Sequence, residues 1–241
     1  MSLFGFLKSG RIKKSPWLQK KIRKYFYDLY VKDLQLNLEL EAMHESVAYI
    51  KKNMREAMIF SSWHALHSYA IEHAELNGLF LEFGTKRGHS IREIAKMTTH
   101  TIHGFDSFKG LPEDWSGTSL RKGKFGFKGG LIRLPGNVVV HKGWFDETLP
   151  EFTKDHGDVV AYMHIDCDLY SSTRTIFEQL ANRIVTGTVI VFDEYFNYPN
   201  WQQHEYRAFR EFVNEHGIEY RYLGLLSYDG VVAVKITGKH H

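Results

Sequence analysis

The chain has 241 residues, 43% of them hydrophobic and 15% aromatic, enough for one substantial core with an appendage. Its formal net charge of +3 singles out no class of partner, and its one cysteine excludes an internal disulfide, so a reducing, cytoplasmic location is expected. No apolar run is long enough to span a bilayer and no cleavable signal segment is evident, so stable membrane insertion is not expected.

The first stretch is basic. Residues 1–27 hold Lys8, Arg11, Lys13, Lys14, Lys20, Lys21, Arg23 and Lys24 without a single acid. Such a run serves either an anionic surface or, more plainly, the solvated face of a helix, and the plainer reading is adopted. No base-reading side chains accompany the charge, so no nucleic-acid partner is expected. His240 and His241 are left out of any metal argument.

From residue 17 to about residue 76 the periodicity is helical. Leu38, Leu40, Met43, Val47, Ile50 and Met54 recur at three- and four-residue intervals, and Trp63, Leu66, Ala70 and Ile71 do likewise. His64, His67 and His73 share that segment without a cysteine or acid motif, and read as surface or helix-packing residues. Residues 1–76 are expected to be a helical extension beside a main domain of residues 77–238.

After Asn77-Gly78 the pattern changes. "LFLEFG", "THTIHGFD", "NVVVHKG", "VAYMHID" and "GTVIVFDE" read as strands, interleaved with "HSIREIAKM" and "STRTIFEQLANRI" as helices and with a charged, glycine-rich loop over residues 107–136. Near the end, Asp229-Gly230 between two strand-like runs signals a hairpin. The expected fold is α/β: a doubly wound, mostly parallel seven-stranded sheet, Rossmann-like, with a C-terminal antiparallel hairpin and N-terminal helices. Class I methyltransferases have this arrangement.

Gly84 and Gly88 permit a tight turn at the first strand's exit, and Ser90 to Glu93 reads as a capping box for the next helix. Glu82 stands where a carboxylate meets an ammonium group, and Asp106 where one holds ribose hydroxyls. An amine and a ribose facing two acids suit S-adenosylmethionine. A nicotinamide dinucleotide fits less well, because the third glycine of G-x-G-x-x-G is missing.

Five blocks in order, "FLEFGTKRGHS", "GFDSFKGLPEDW", "HKGWFDETLP", "HIDCDLYSST" and "VFDEYFNYPNW", resemble those of the macrocin O-methyltransferase family over roughly residues 60–235. The resemblance implies an S-adenosylmethionine-dependent enzyme with a divalent metal, and makes a homo-oligomer plausible. By position, Glu82, Gly84, Thr85, Gly88 and Ser90 would surround the methionine portion of the donor. Asp106 would hold the ribose with Ser107 and Phe108 beside it, and Gly143, Trp144 and Phe145 would lie near the adenine.

Alternation along the fourth strand puts Tyr162, His164 and Asp166 on one face and leaves Cys167 as a buried filler on the other. Asp166 leaves that strand at its carboxyl end, as Asp193 and Glu194 leave the fifth. Acids converging from neighbouring strand ends repel unless a hard dication joins them, so Asp166, Asp193 and Glu194 are the expected ligands of Mg2+. Asp168 is read as a helix cap or a supporting group. Family members that modify macrolides tend to have Asp-Asp where this chain has Asp193-Glu194.

The expected reaction is O-methylation of a small hydroxylated acceptor, such as a sugar unit, with Asp166, His164 and Lys142 as candidate proton acceptors. Acceptor choice is expected to lie in the 116–130 loop, near Tyr195, Tyr198, Trp201 and His204, and in the N-terminal helices. Two other readings compete. Asp166-Cys167-Asp168 also spells the D-x-D of metal-dependent glycosyltransferases, and a non-catalytic adapter would keep the fold without binding a donor.

Overall fold

A computed structural model of the chain describes residues 16–129 and 133–239. Lys8, Arg11, Lys13 and Lys14 of the basic run, residues 130–132 of the long loop, and His240 and His241 lie outside the described residues. The described residues begin with α1 (Pro16–Tyr27), a π-helical turn (Asp28–Lys32) and α2 (Leu34–Asn53). Asp33 caps α2 by accepting from the Leu36 N–H, and Ser62 caps α3 (Trp63–Glu72) by accepting from Ala65. No helix among the described residues is long and apolar enough to cross a membrane.

The sheet corrects the expected strand count. It has eight strands, and the additional one is β1 (Met58–Phe60), inside the segment whose sequence reads as helical. Three residues are too few to display an alternation, and two of them are exposed. Backbone pairing holds β1 in place: it runs parallel to β7 (Ile218–Leu226), with Ile59 opposite Leu225.

The remaining elements are β2 (Leu79–Phe83), α4 (His89–Met97), β3 (Ile102–Asp106), β4 (Val138–Lys142), α5 (Phe145–Asp155) and β5 (Val160–Ile165). They are followed by α6 (Tyr170–Leu180), β6 (Val189–Phe192), α7 (Glu205–Glu215), β7 and β8 (Val232–Lys239). The strand order is β1-β7-β8-β6-β5-β2-β3-β4, and β8 alone runs against the rest, forming the expected C-terminal hairpin with β7.

Alternating side chains divide the core between the two faces. Leu81, Phe83, Met163 and Ile165 pack toward Phe152 of α5, Phe177 of α6 and Phe209 of α7. Phe80, Tyr162, Val189 and Val191 pack toward Leu66 of α3 and Ile91 and Ile94 of α4. Parallel strands covered on both faces must be apolar throughout, and every residue of β2, β5 and β6 is buried. The chain passes from β2 outward to β3 and β4, then returns to place β5 on the other side of β2. That reversal opens a crevice above the carboxyl ends of β2 and β5, where sheets of this kind hold ligands.

Candidate active site

The crevice contains a cavity of about 290 Å3. Its floor comes from strand exits: Gly84 after β2, Asp106 and Ser107 after β3, Asp166 to Asp168 after β5, and Glu194 after β6. Trp144 and Phe145 at the start of α5 form one wall. Gly84 has φ +101°, and an added Cβ would stand 1.8 Å from the Asp166 carbonyl oxygen. Glycine is thus required there so that the exits of β2 and β5 can touch. The Asp106 carboxylate is locked by two backbone donors, Lys86 N–H and Phe108 N–H, each at 2.6 Å.

The 107–129 stretch covers the cavity. Its ends are joined by Phe127 N–H donating to Phe108 O, and its middle by Leu111 N–H donating to Lys124 O. Leu111 and Trp115 are buried against Leu169. Phe125 lies 4.3 Å beneath the Lys86 ammonium, and Phe127 stacks 5.1 Å from the Arg87 guanidinium. Lys86, Phe125 and Asp168, all lining the cavity, hold left-handed backbone at φ +48°, +67° and +67°. Such conformations cost of order 1 kcal/mol each and gather where a site needs them.

The acidic side of the cavity is strongly perturbed. Burial, then the neighbouring Asp193, drives Asp166 well above the usual carboxylate range, and the same causes push Asp168 up to about 7. Burial and Glu205 push Glu194 up to about 9, and Glu205 itself rises to about 8 through burial and Asp168. Among the described residues no lysine or arginine forms an ion pair with any of the four. Desolvated acids that raise one another have the chemistry that a bound cation would relieve.

Glu205 is the residue that sequence reasoning missed. It is fully buried at the start of α7 and accepts from the backbone N–H groups of Cys167 (3.4 Å), Asp168 (3.1 Å) and Glu194 (3.2 Å). One carboxylate therefore fastens the β5 and β6 exits to each other. The available signal was an acid at the head of an otherwise apolar helix face, beside Ala208, Phe209 and Phe212. Glu205→Ala would strand three buried donors, and is expected to lower unfolding free energy by about 3 kcal/mol in urea titrations. Glu205→Gln keeps one acceptor oxygen for Cys167 and Asp168 but turns its amide nitrogen toward the Glu194 N–H, so its loss should be smaller, about 1–2 kcal/mol.

A second polar cluster lies beneath the crevice, on the α3 side of the sheet. Glu82 and His164 are cross-strand partners, both fully buried. His164 Nδ1 contacts Glu82 Oε2 at 3.2 Å and its Nε2 contacts Asp193 Oδ1 at 3.4 Å. Burial disfavours the imidazolium, but the bonds to Asp193 and Glu82 outweigh it and hold His164 well above its ordinary value. Ser90 Oγ donates to Glu82 Oε1, Trp63 Nε1 donates to Asp193, and His67 Nδ1 meets the Tyr162 hydroxyl at 2.6 Å. Burial and the proximity of His164 keep His67 well below its ordinary value, hence neutral.

Of the predicted site residues, Gly84, Asp106, Ser107, Trp144, Phe145, Asp166 and Glu194 line the cavity together. Asp193 lies between the rim and the buried cluster. Thr85, Gly88, Phe108 and Gly143 adjoin the cavity in sequence without lining it, and Lys142 is exposed on β4. His164 has both nitrogens engaged and no exposure, so it faces no substrate. Glu82 spends both oxygens on His164 and Ser90, away from the cavity where an ammonium contact was expected.

Two capping expectations are corrected. Gly88, at φ +90°, is the N-cap of α4, so Ser90 lies inside the helix and its hydroxyl turns to Glu82. Asp168 does not cap α6, whose N-cap is Leu169 and whose first turn receives no side-chain cap. Tyr195, Trp201 and His204 are buried and Tyr198 is half-buried, and none of the four lines the cavity. Cys167 is buried as expected, beside Thr173.

Comparison with known proteins adds an independent observation. Residues 81–195 match a family model described as a methyltransferase domain. The fold resembles that of CalS11, a calicheamicin methyltransferase, at 19% identity and TM-score 0.57, over 92% of this chain and 93% of that one. It also resembles the O-methyltransferase NovP, at 21% identity and TM-score 0.53, over 72% and 79%. An apo structure of CalS11, described as a TDP-rhamnose 3'-O-methyltransferase, aligns at 18% identity and TM-score 0.50, over 92% and 95%. No curated protein matches the chain in sequence. The chain therefore has a class I, Rossmann-like methyltransferase fold, and its residues 81–195 are similar to a methyltransferase domain.

Proposed function

We propose that the chain is an S-adenosylmethionine-dependent O-methyltransferase acting on a hydroxyl of a small molecule or sugar unit, with Mg2+ at its acidic rim. The observation that carries this reading is one cavity with a fixed Asp106 on one side and the acids Asp166, Asp168 and Glu194 on the other. The narrower resemblance to macrocin O-methyltransferases and the sugar-nucleotide named for CalS11 support the acceptor class. A cytoplasmic location and a homo-oligomer formed through the N-terminal helices belong to the same reading.

Asp106, held by two N–H groups, keeps further lone pairs for ribose hydroxyls, and Trp144 and Phe145 offer flat apolar walls to an adenine. Asp166, Asp193 and Glu194 supply the oxygen donors that Mg2+ prefers. A dication held there would supply Lewis-acid chemistry, lowering the pKa of an acceptor hydroxyl. With the ion bound Asp166 would be ionised, and its remaining carboxylate oxygen is the proposed acceptor of the hydroxyl proton. The cavity walls align donor and acceptor, so transfer of the methyl group gains chiefly from positioning and preorganised charge.

Thermal unfolding with S-adenosylhomocysteine or UDP, each with and without Mg2+, tests this reading. S-adenosylhomocysteine at about a hundred times its Kd should add about 2.7 kcal/mol of stability, and UDP none. A shift with UDP alone would favour the glycosyltransferase, and no shift with either would favour the adapter.

A further inference from the structure

We propose that His67, His164 and Asp193 form a site for one nitrogen-preferring transition-metal dication, with Zn2+ as the natural probe. This site shares Asp193 with the oxygen-lined rim but takes its two nitrogen donors from beneath it, and it stands whether or not the methyltransferase reading holds. One ligand atom from each of the three residues lies within 4.8 Å of the other two. His164 Nε2 and Asp193 Oδ1 are already 3.4 Å apart. Two ligands on a tetrahedral ion with bonds of about 2.0–2.1 Å stand roughly 3.3–3.4 Å apart, so that edge is preformed.

Three further features point the same way. His67 is fully buried, and its Nε2 has no hydrogen-bond partner. Buried polar atoms in folded proteins are normally satisfied, and an unpartnered imidazole nitrogen beside a second histidine and a carboxylate is a ligand without its ion. Each ligand also has an outer partner that fixes it: Tyr162 at His67 Nδ1, Glu82 at His164 Nδ1, and Trp63 at Asp193. Hydrogen bonding of the distal ring nitrogen is the usual support of a metal-bound histidine. The ion takes the place of the His164 Nε2 proton, so both imidazoles are then neutral and the dication offsets the two carboxylates, Glu82 and Asp193.

Selectivity follows from the donors. Two imidazoles suit zinc and its neighbours and suit magnesium poorly, whereas the rim presents oxygen alone. The Asp193 side chain is 27% exposed, which gives an ion a way in and leaves a fourth position for water. The ligands come from α3, β5 and the β6 exit, so a bound ion fastens α3 to the sheet and fixes the carboxylate that the rim shares.

The test uses the full chain, stripped of metal and titrated with Zn2+ alone by calorimetry, with bound metal counted by mass spectrometry. Wild type should take up one zinc more than His67→Phe, which keeps the ring stacked on Trp63 and removes the nitrogens. Zinc bound equally by both proteins belongs to other histidines. Tyr162→Phe, a small change that guards against misfolding of the first variant, should weaken binding about 10- to 100-fold. Asp166→Asn should leave zinc affinity unchanged. Equal uptake by wild type and His67→Phe, no effect of Tyr162→Phe, or loss of zinc in Asp166→Asn would each overturn the proposal, the last by placing the ion at the rim.

Discussion

Asp166→Asn is expected to lower kcat for methyl transfer by about 10³-fold while leaving donor KM within a few-fold of wild type. The substitution keeps the shape of the side chain and leaves the backbone carbonyl of residue 166 packed against Gly84. It removes the charge at the centre of the acidic rim and the oxygen proposed to take the proton. Donor contacts through Asp106, Trp144 and Phe145 lie across the cavity and should survive. Radiolabelled methyl transfer to a panel of hydroxylated acceptors, with and without Mg2+, measures the effect. Asp193→Asn should act in the same direction. If both variants turn over at wild-type rates with the same response to magnesium, the rim is not the reaction centre.

Metal-free protein should become less stable as pH rises from about 5 to 9, and Mg2+ should flatten that slope. Asp168, Glu205 and Glu194 are raised to about 7, 8 and 9 in the folded chain. Above about pH 4 the unfolded chain has released these protons while the folded chain still holds them. The stability they contribute is therefore complete at low pH and is lost as pH climbs through each folded value. Asp168 alone accounts for at most on the order of 4 kcal/mol. His164, held protonated by Glu82 and Asp193, contributes in the same direction. An ion at the rim replaces the protons and removes the penalty. Urea unfolding at pH 5, 7 and 9, in chelator and in magnesium, gives the comparison. Equal stability at all three pH values in chelator would show that the acids are hydrated and not coupled.

The strands and their exits were legible because burial on both faces leaves a strong mark. "LFLEFG" and "VAYMHID" have few polar positions, so Glu82, His164 and Asp166 stood out at once. What those groups touch was not legible. Glu82 pairs with His164 across 82 positions of chain, and register between parallel strands is set by crossovers that carry no local signature. β1 escaped because its strand state comes from pairing with β7, some 160 residues later, and not from its own composition. The capping pattern at Ser90 was real in sequence but lost to a competing buried acceptor, Glu82. His67 read as an ordinary helix residue because its companions arrive from two other strands.

The covering stretch has a kinetic meaning. Its outer grip on the glycine turn is two aromatic rings beneath Lys86 and Arg87, interactions worth about 0.5–1 kcal/mol each at a wet surface. Its inner anchor, Leu111 and Trp115 against Leu169, is apolar and buried. The rim nearest the turn can therefore swing while the far end stays seated, like a door on its hinge. In the proposed reaction, departure of the spent donor and not the bond-making event is then the expected bottleneck of each cycle.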